Sequence, residues 1–399
     1  MKTRAMLWRA LLVAILLGIL LSVGGCATRS PAQPAPATEL FHDELFRRPA
    51  APIDPAAIFA LNERMRAYVK NELDQHPRGH DRRRALFDAL YRRDQLKLEY
   101  DSALTRNAAE TFEARAGNCL SLAIMTAALA RELNFNVQFQ QINMEESWSR
   151  SGSLYFASNH VNLVLGKRAS TVEGQQFGNA DTLIVDFIPI SPKARESARP
   201  LEERTIVAMY LNNRAAELLA AGNVDDAYWA ARGSAEADPA FMSAYNTLAV
   251  VYRHHGDFAP AEQALRHALR RAPDSTIFLS NLAQTLEAQQ RDAEAAVVRA
   301  HLARLEPHPP FHFFHLGQQA IERGDYASAR GLFERELERV PDYHEFHYWL
   351  AISHYQLGNL RAADKHMKQA LANSTTRGDH ALYTAKLDRI RADEAKVIK

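Results

Sequence analysis

The stretch that decides the fold of the carboxyl half is AYNTLAVVYRHHGDFAPAEQALRHALRRAP, residues 244–273. Its small residues, its glycine and its final proline recur at a step of 34 residues, both upstream and downstream. No insertion breaks this register over residues 208–377, which predicts five units. The recurring residues are Ala215, Ala249, Ala283, Gly317 and Ala351; Gly222, Gly256, Gly324 and Gly358; Ala227, Ala261, Ala295, Ala329 and Ala363; and Pro239, Pro273, Pro307 and Pro341.

Each unit is predicted to be a pair of antiparallel helices. Small side chains allow two helices to cross closely, a glycine such as Gly256 ends the first helix, and a proline such as Pro273 breaks the chain between units. This pattern resembles the tetratricopeptide repeat (TPR), a helix pair with small residues and a proline at these offsets. The resemblance implies an all-α solenoid over residues 208–377, followed by a capping helix and tail over residues 378–399.

By the same resemblance, the solenoid offers a concave groove for a peptide or a partner protein. The candidate groove residues lie on the first helices of the units: Asn212, Asn213, Asn246, Arg253, Asn281 and Tyr348. Any one of them could equally be an ordinary solvated residue. The histidines of the units are joined by no carboxylate or cysteine at regular spacing, so the sequence implies no metal site there.

A different pattern occupies the middle of the chain, where EARAGNC, residues 113–119, is followed by the run LSLAIMTAALARELNF. That run is apolar around most of a helical circumference, so it predicts a buried helix. Asn118 is a good N-cap, which places Cys119 in the first turn of the helix. Unpaired backbone N–H groups and the helix dipole at that position favour a thiolate and can stabilise an oxyanion.

Three β-strands are predicted after this helix, one beginning at Val137 and two more over residues 159–165 and 181–187. One helix followed by three strands, with Cys, His and Asp in that order, resembles the transglutaminase-like superfamily, a branch of the papain-like folds. The resemblance implies an α+β papain/transglutaminase-like core within residues 51–190, followed by a linker over residues 191–207.

The same resemblance assigns roles to three residues of the core. It implies that Cys119 is the nucleophile, His160 its general base and Asp186 the residue that orients the imidazole. It implies no cofactor. Asn162 departs from the family pattern, because many members have a tryptophan two residues after the histidine. Taken singly, each residue could be structural, since a lone buried cysteine usually acts as a small hydrophobe.

The amino terminus has basic residues, an apolar run over residues 10–23 that is short for a bilayer span, and small residues before Cys26. This pattern predicts a cleaved secretory signal and resembles the bacterial lipoprotein signal. The resemblance implies a signal peptide over residues 1–25, a diacylated Cys26 and a tether over residues 26–50. Ala27, where an aspartate would retain the protein in the inner membrane, implies the periplasmic face of the outer membrane. An uncleaved anchor with an incidental cysteine is the alternative.

Composition narrows the class of protein further. The 399 residues contain 48 Lys and Arg against 47 Asp and Glu, so the sequence predicts no nucleic-acid partner. Only two cysteines occur, Cys26 and Cys119, which argues against a disulfide framework and a structural zinc site.

Two functions from different classes follow. The first is an envelope-anchored enzyme in which Cys119 attacks a peptide or amide carbonyl. Water then resolves the thioester in a protease or amidase, or an amine does so in a transglutaminase, and the TPR array recruits the substrate or a partner. The second is a catalytically inactive TPR scaffold lipoprotein that binds a partner protein in the cell envelope.

Overall fold

The computed structural model describes residues 35–49, 53–74, 82–92, 95–151, 154–168, 182–188 and 195–397. From Pro36 onward, the described residues belong to one compact unit. The predicted signal peptide and Cys26 lie outside the described residues. In the part that is described, no helix is both long and apolar enough to cross a bilayer.

The amino-terminal half combines short helices with an antiparallel sheet. Its α-helices are α1 (Glu63–Tyr68), α2 (Arg82–Tyr91), α3 (Ala108–Ala114) and α4 (Cys119–Glu132). Its strands are β1 (Glu99–Tyr100), β2 (Ala116–Gly117), β3 (Phe135–Ser151), β4 (Leu154–Arg168), β5 (Leu183–Val185) and β6 (Arg199–Leu201). The sheet has the strand order β5-β4-β3-β6 with antiparallel neighbours, while β1 and β2 form a separate parallel pair.

Helix α4 is the centre of the core in this half. Every residue from Leu120 to Ala130 is buried, as the apolar run predicts. Phe139 of β3, Leu163 of β4 and Val185 of β5 belong to the same apolar cluster. This packing places the amino end of α4 close to the strands that carry the predicted site residues.

Residues 203–372 form five helix pairs, which agrees with the 34-residue period. The pairs are α5 (Glu203–Ala220) with α6 (Val224–Ala237), α7 (Met242–His255) with α8 (Phe258–Arg271), α9 (Thr276–Ala288) with α10 (Asp292–Leu305), α11 (His312–Glu322) with α12 (Tyr326–Arg339), and α13 (His344–Gln356) with α14 (Leu360–Ala372). A final helix, α15 (Arg377–Val397), buries Tyr383, Leu387 and Ile390 on the last pair and is the predicted capping helix.

The turn inside each pair needs a left-handed backbone. Four of the turns use a glycine with a φ between 74° and 102°, as at Gly256. The third pair has Gln290 at this position, and it adopts the same conformation with a φ of 61°. A side chain in this region costs roughly 1–2 kcal/mol, so glycine is the better residue here.

The five pairs do not share one continuous core. The apolar core of the first three pairs ends on α10, and separate cores begin at Phe311 and in the last pair with its capping helix. Helices α10 and α11 make few contacts with each other, whereas all other consecutive helices of the array pack together. Val297 of α10 is 71% exposed. We therefore distinguish a first block, α5–α10, from a second block, α11–α15.

Arg299 gives a physical reason for this break. It occupies the position of α10 that is filled in the other pairs by a buried apolar residue: Ala231, Leu265, Phe333 and Met367. An unpaired guanidinium is costly to bury, and Arg299 instead pairs with Glu287 at the surface, at 2.6 Å. The repeat register is therefore continuous at a point where the packing is not.

The carboxyl end of the predicted tether is packed onto the first block. Leu40 and Phe46 are buried there, and Phe46 stacks on Tyr228 with 4.0 Å between ring centroids. The hydroxyl of Tyr252 donates to the carbonyl of Leu40 at 2.7 Å. The tether predicted over residues 26–50 thus ends early, because its later apolar side chains have a surface on which to be buried.

Candidate active site

Cys119 begins helix α4, as the sequence predicts. The side chain of Asn118 caps this helix by accepting a hydrogen bond from the N–H of Ser121 at 2.9 Å. Gly117 is needed just before the cap, because a Cβ there would lie 2.7 Å from the Cβ of Ser121. The thiol of Cys119 is free and partly exposed. It therefore lies where N–H groups and the helix dipole stabilise negative charge.

His160 and Asp186 form a buried hydrogen-bonded pair. His160 lies on β4 and is 4% exposed, and its Nε2 atom is 2.6 Å from Oδ1 of Asp186, which follows β5. The amide of Asn162 donates to Oδ2 of Asp186 at 2.9 Å, and the N–H of Ile188 donates to Oδ1 at 3.3 Å. Because both carboxylate oxygens are held, Asp186 fixes the orientation of the imidazole.

The other ring nitrogen of His160, Nδ1, is buried and has no hydrogen-bond partner among the described residues. His160 also interacts with Cys119, and this interaction contributes to the pKa of the imidazole. Burial lowers the pKa of His160, but the interactions with Asp186 and Cys119 outweigh burial and raise the pKa from 6.5 to about 9. The imidazole is therefore protonated at neutral pH.

Asp186 is held in its charged form. Burial opposes this charge, but the hydrogen bonds from His160 and Asn162 lower the pKa of the carboxyl group. Tyr91 on α2 fixes the backbone as well, since its hydroxyl donates to the carbonyl of Asp186 at 2.6 Å. Burial and the charge of Asp186 raise the pKa of Tyr91 to about 12, which keeps this donor protonated.

Two residues of this site, Asn162 and Tyr100, were not predicted from the sequence motifs. Asn162 stands out in the sequence only as a departure from the family, although residues 160 and 162 share one face of a strand and could have been paired on that ground. The second residue is Tyr100, which the pairing of β1 with β2 places beside Gly117. Burial and the neighbouring Cys119 raise the pKa of its hydroxyl. No local motif signals that contact.

Three of the candidate groove residues are brought together. Asn281 on α9 donates to Asn246 on α7 at 2.8 Å, and Arg253 donates to the side-chain oxygen of Asn281 at 3.4 Å. Tyr348 does not join them. It stacks on Tyr383 of the capping helix, with 5.0 Å between ring centroids.

The remaining candidates, Asn212 and Asn213, lie on α5. The side-chain oxygen of Asn212 is buried and has no hydrogen-bond partner among the described residues. Asn213 donates to the hydroxyl of Thr105 at 3.2 Å, so the amino-terminal half covers this part of the first pair. No group of three or more His, Cys, Asp or Glu within the described ranges is arranged to hold a metal ion.

A family comparison identifies the repeats. The model of the tetratricopeptide repeat family matches residues 247–309 and 314–377. These two segments are therefore TPR repeats, and arrays of such repeats typically bind protein partners. The two matched segments are separated by residues 310–313, at the connection between the first and second blocks.

Several solved structures are similar to the chain. MamA is 22% identical, over 42% of this chain and 97% of that chain, with a TM-score of 0.24. The pilF protein of Pseudomonas aeruginosa is 21% identical, over 49% of this chain and 88% of that chain, with a TM-score of 0.29. A TPR protein of Thermus thermophilus is 19% identical, over 45% of this chain and 98% of that chain, with a TM-score of 0.29. Likeness at this level carries no argument about function. No curated protein matches the chain.

Proposed function

We propose that this protein is a TPR scaffold whose amino-terminal half carries a cysteine-nucleophile site that acts on peptide or amide carbonyls, as in the transglutaminase-like superfamily. The observation that supports the proposal is the juxtaposition of Cys119, His160 and Asp186 around one buried imidazole. The three residues come from separate elements of the fold, and Asp186 is held by further donors. A solvated surface histidine needs no such arrangement.

In the proposed reaction, the proton on Nδ1 of His160 is the one that the thiol of Cys119 has given up, and Asp186 stabilises the resulting imidazolium. The thiolate then adds to the carbonyl carbon of the substrate, and backbone N–H groups in the first turn of α4 bind the oxyanion. His160 gives its proton to the leaving nitrogen, the carbon–nitrogen bond breaks, and a thioester remains on Cys119.

Water or an amine resolves the thioester. His160 accepts a proton from the incoming group, whose oxygen or nitrogen bonds to the carbonyl carbon as the bond to sulfur breaks. Water gives a carboxylic acid, which makes the protein a protease or amidase, whereas an amine gives a new amide. We favour water, because bacterial members of the superfamily that this half resembles are more often hydrolytic.

The TPR array recruits the substrate or a partner in this proposal. Arg253 supports a peptide ligand, because burial lowers its pKa and, among the described residues, its guanidinium hydrogen-bonds only to the neutral Asn281. A peptide carbonyl or carboxylate at this point would complete its hydrogen bonds.

Cys26 anchors the protein to the envelope in the same proposal, through acyl chains at the periplasmic face of the outer membrane. Cys26→Ser is expected to move the protein from the membrane to the soluble fraction and to prevent labelling with a fatty acid. If the wild-type protein takes up no label and fractionates like the variant, the anchor is wrong.

Alkylation of the thiol with iodoacetamide at neutral pH tests the nucleophile. With Cys26 replaced by serine, Cys119 is the only thiol of the chain, so the rate can be assigned. Cys119 should react faster than a model peptide thiol, and His160→Ala should abolish the excess. His301→Ala, on α10, is the matched control and should have no effect. If Cys119 reacts no faster than the peptide, the enzyme proposal fails.

A catalytically inactive scaffold is the second candidate. The family match favours it, because the match lies in the repeats and TPR repeats support protein–protein interaction. Complementation of a deletion strain separates the two candidates. If Cys119→Ala complements and Arg253→Glu does not, the protein is a scaffold; the enzyme proposal predicts that Cys119→Ala fails to complement.

A further inference from the structure

The repeat array has one place at which it can bend. The connection Glu306–Phe311 joins α10 to α11, the two neighbouring helices that do not pack on each other as the rest do. The apolar core of the first block ends before this connection, and the next core begins at its end. Arg339 of α12 donates to the carbonyl of His308 at 2.8 Å, which ties the connection to the second block. A rotation at the start of the connection therefore exposes little apolar surface.

One loop, Glu99–Arg106, is attached to the far end of the second block. The N–H of Ser102 donates to the carbonyl of Thr375 at 2.8 Å. Glu99 pairs with Arg377, the first residue of α15, at 3.1 Å. The side chains of this ion pair are 50% and 63% exposed, so the ion pair adds little to the attachment.

The same loop is attached more firmly to the first block. The N–H of Thr105 donates to Glu217 on α5 at 2.6 Å, and Asn213 donates to the hydroxyl of Thr105 at 3.2 Å. Thr105 is 1% exposed. The two ends of the loop thus differ. Thr105 is buried against the first block, whereas the other end is joined to the second block by the part-buried hydrogen bonds of Ser102 to Thr375 and by an exposed ion pair.

Both ends of the loop also touch the Cys119 site. Tyr100 pairs with Gly117, two residues before Cys119, in the β1–β2 ladder. The hydroxyl of Thr105 accepts from the amide of Asn118 at 2.8 Å, and Asn118 is the N-cap of α4. Movement of Ser102 with the second block would therefore shift Tyr100, while Thr105 continues to hold the cap.

We propose that the second block is a movable arm that sets the reactivity of Cys119 through the loop Glu99–Arg106. With the arm docked, the β1–β2 pairing holds Tyr100 beside the start of α4. A protein partner that draws the arm away moves Tyr100 from the start of this helix and opens the approach to Cys119. This inference rests on the proposed function of Cys119 and names how the same site is regulated.

A charge-swap cycle in the full chain tests the coupling. Glu99→Arg and Arg377→Glu each place like charges in contact and should raise the rate of Cys119 alkylation about two- to fivefold, the range that an exposed ion pair controls. The double variant restores the pair and should restore the wild-type rate. Arg361→Glu, on α14 with a side chain that is 93% exposed, is the matched control and should change nothing.

Equal rates in all variants would overturn the proposal, as would a change that the double variant does not reverse. Hydrogen exchange resolved to single amides gives a second readout: the amide of Ser102 should exchange faster in both single variants, whereas that of Thr105 should not. A wild-type Cys119 that reacts like a peptide thiol, but whose rate still follows the cycle, would leave the coupling intact and remove the catalytic role.

Discussion

Replacing Asp186 with asparagine tests what the carboxylate does for His160. The variant keeps the size of the side chain but removes a negative charge that lies 2.6 Å from Nε2. The pKa of His160 is raised from 6.5 to about 9 although burial works in the opposite direction. That difference corresponds to about 3 kcal/mol in favour of the imidazolium in the folded protein. Solvent screens the pair little, since its side chains are only 2% and 12% exposed.

The sign of the effect follows from the raised pKa. The folded state holds the proton more tightly than the unfolded state, so the stabilisation is complete below about pH 6.5 and is lost as the pH rises to about 9. Asp186→Asn should therefore lower the free energy of unfolding by up to about 3 kcal/mol near pH 6 and by much less above pH 9.

Two assays test this prediction. Nuclear magnetic resonance titration of isotope-labelled histidines reports the pKa of His160, and urea denaturation at the two pH values reports stability. Asp226→Asn, an exposed carboxylate on α6, controls for the loss of one charge. If the pKa of His160 in Asp186→Asn stays near 9, or the loss of stability is equal at both pH values, the reasoning about the pair is refuted.

Three further predictions concern the rest of the chain. The first and second blocks should unfold in separate transitions during urea denaturation. Leu265→Ala should lower the stability of the first block only, and Met367→Ala, at the equivalent repeat position, that of the second block only, each by about 2–5 kcal/mol. A variant that shifts both transitions would contradict the separation. Phe46→Ala removes the stack on Tyr228, so limited proteolysis should cut residues 35–49 faster, and unchanged cleavage would argue against the packed segment. Burial and neighbouring histidines lower the pKa of His366 to about 4. The folded second block therefore binds fewer protons than the unfolded chain and should lose stability as the pH falls from about 6.5 to 4. In thermal melts, His366→Gln should reduce this dependence of stability on pH.

The repeat pattern was sufficient to place the helices but not to describe their packing. Small residues and turn glycines act locally, so positions such as Gly256 predict where the helices end. The break between the blocks depends on a different position, where Arg299 replaces an apolar residue without disturbing the register. Arg299 affects the contact between neighbouring repeats. A comparison of the residues that the repeats share does not reveal this effect, because Arg299 is not one of those residues.

The predicted site residues differ in how far local sequence could locate them. Cys119 follows from the capping residue and the apolar run, which are adjacent in sequence. His160 and Asp186 depend on a resemblance in order, and the structure places them side by side. Tyr100 could not be anticipated, because a two-residue parallel pairing of β1 with β2 brings it to the thiol.

The pH dependence of Cys119 alkylation tests the central claim most directly. If the imidazolium of His160, with a pKa of about 9, activates the thiol, the wild-type rate should exceed that of a model peptide thiol at neutral pH, and the excess should disappear as the pH rises through about 9. In His160→Ala the rate should instead rise with pH as it does for a model thiol, whose pKa is about 8.5. A wild-type profile that already rises in that way, and that His160→Ala leaves unchanged, would contradict the account.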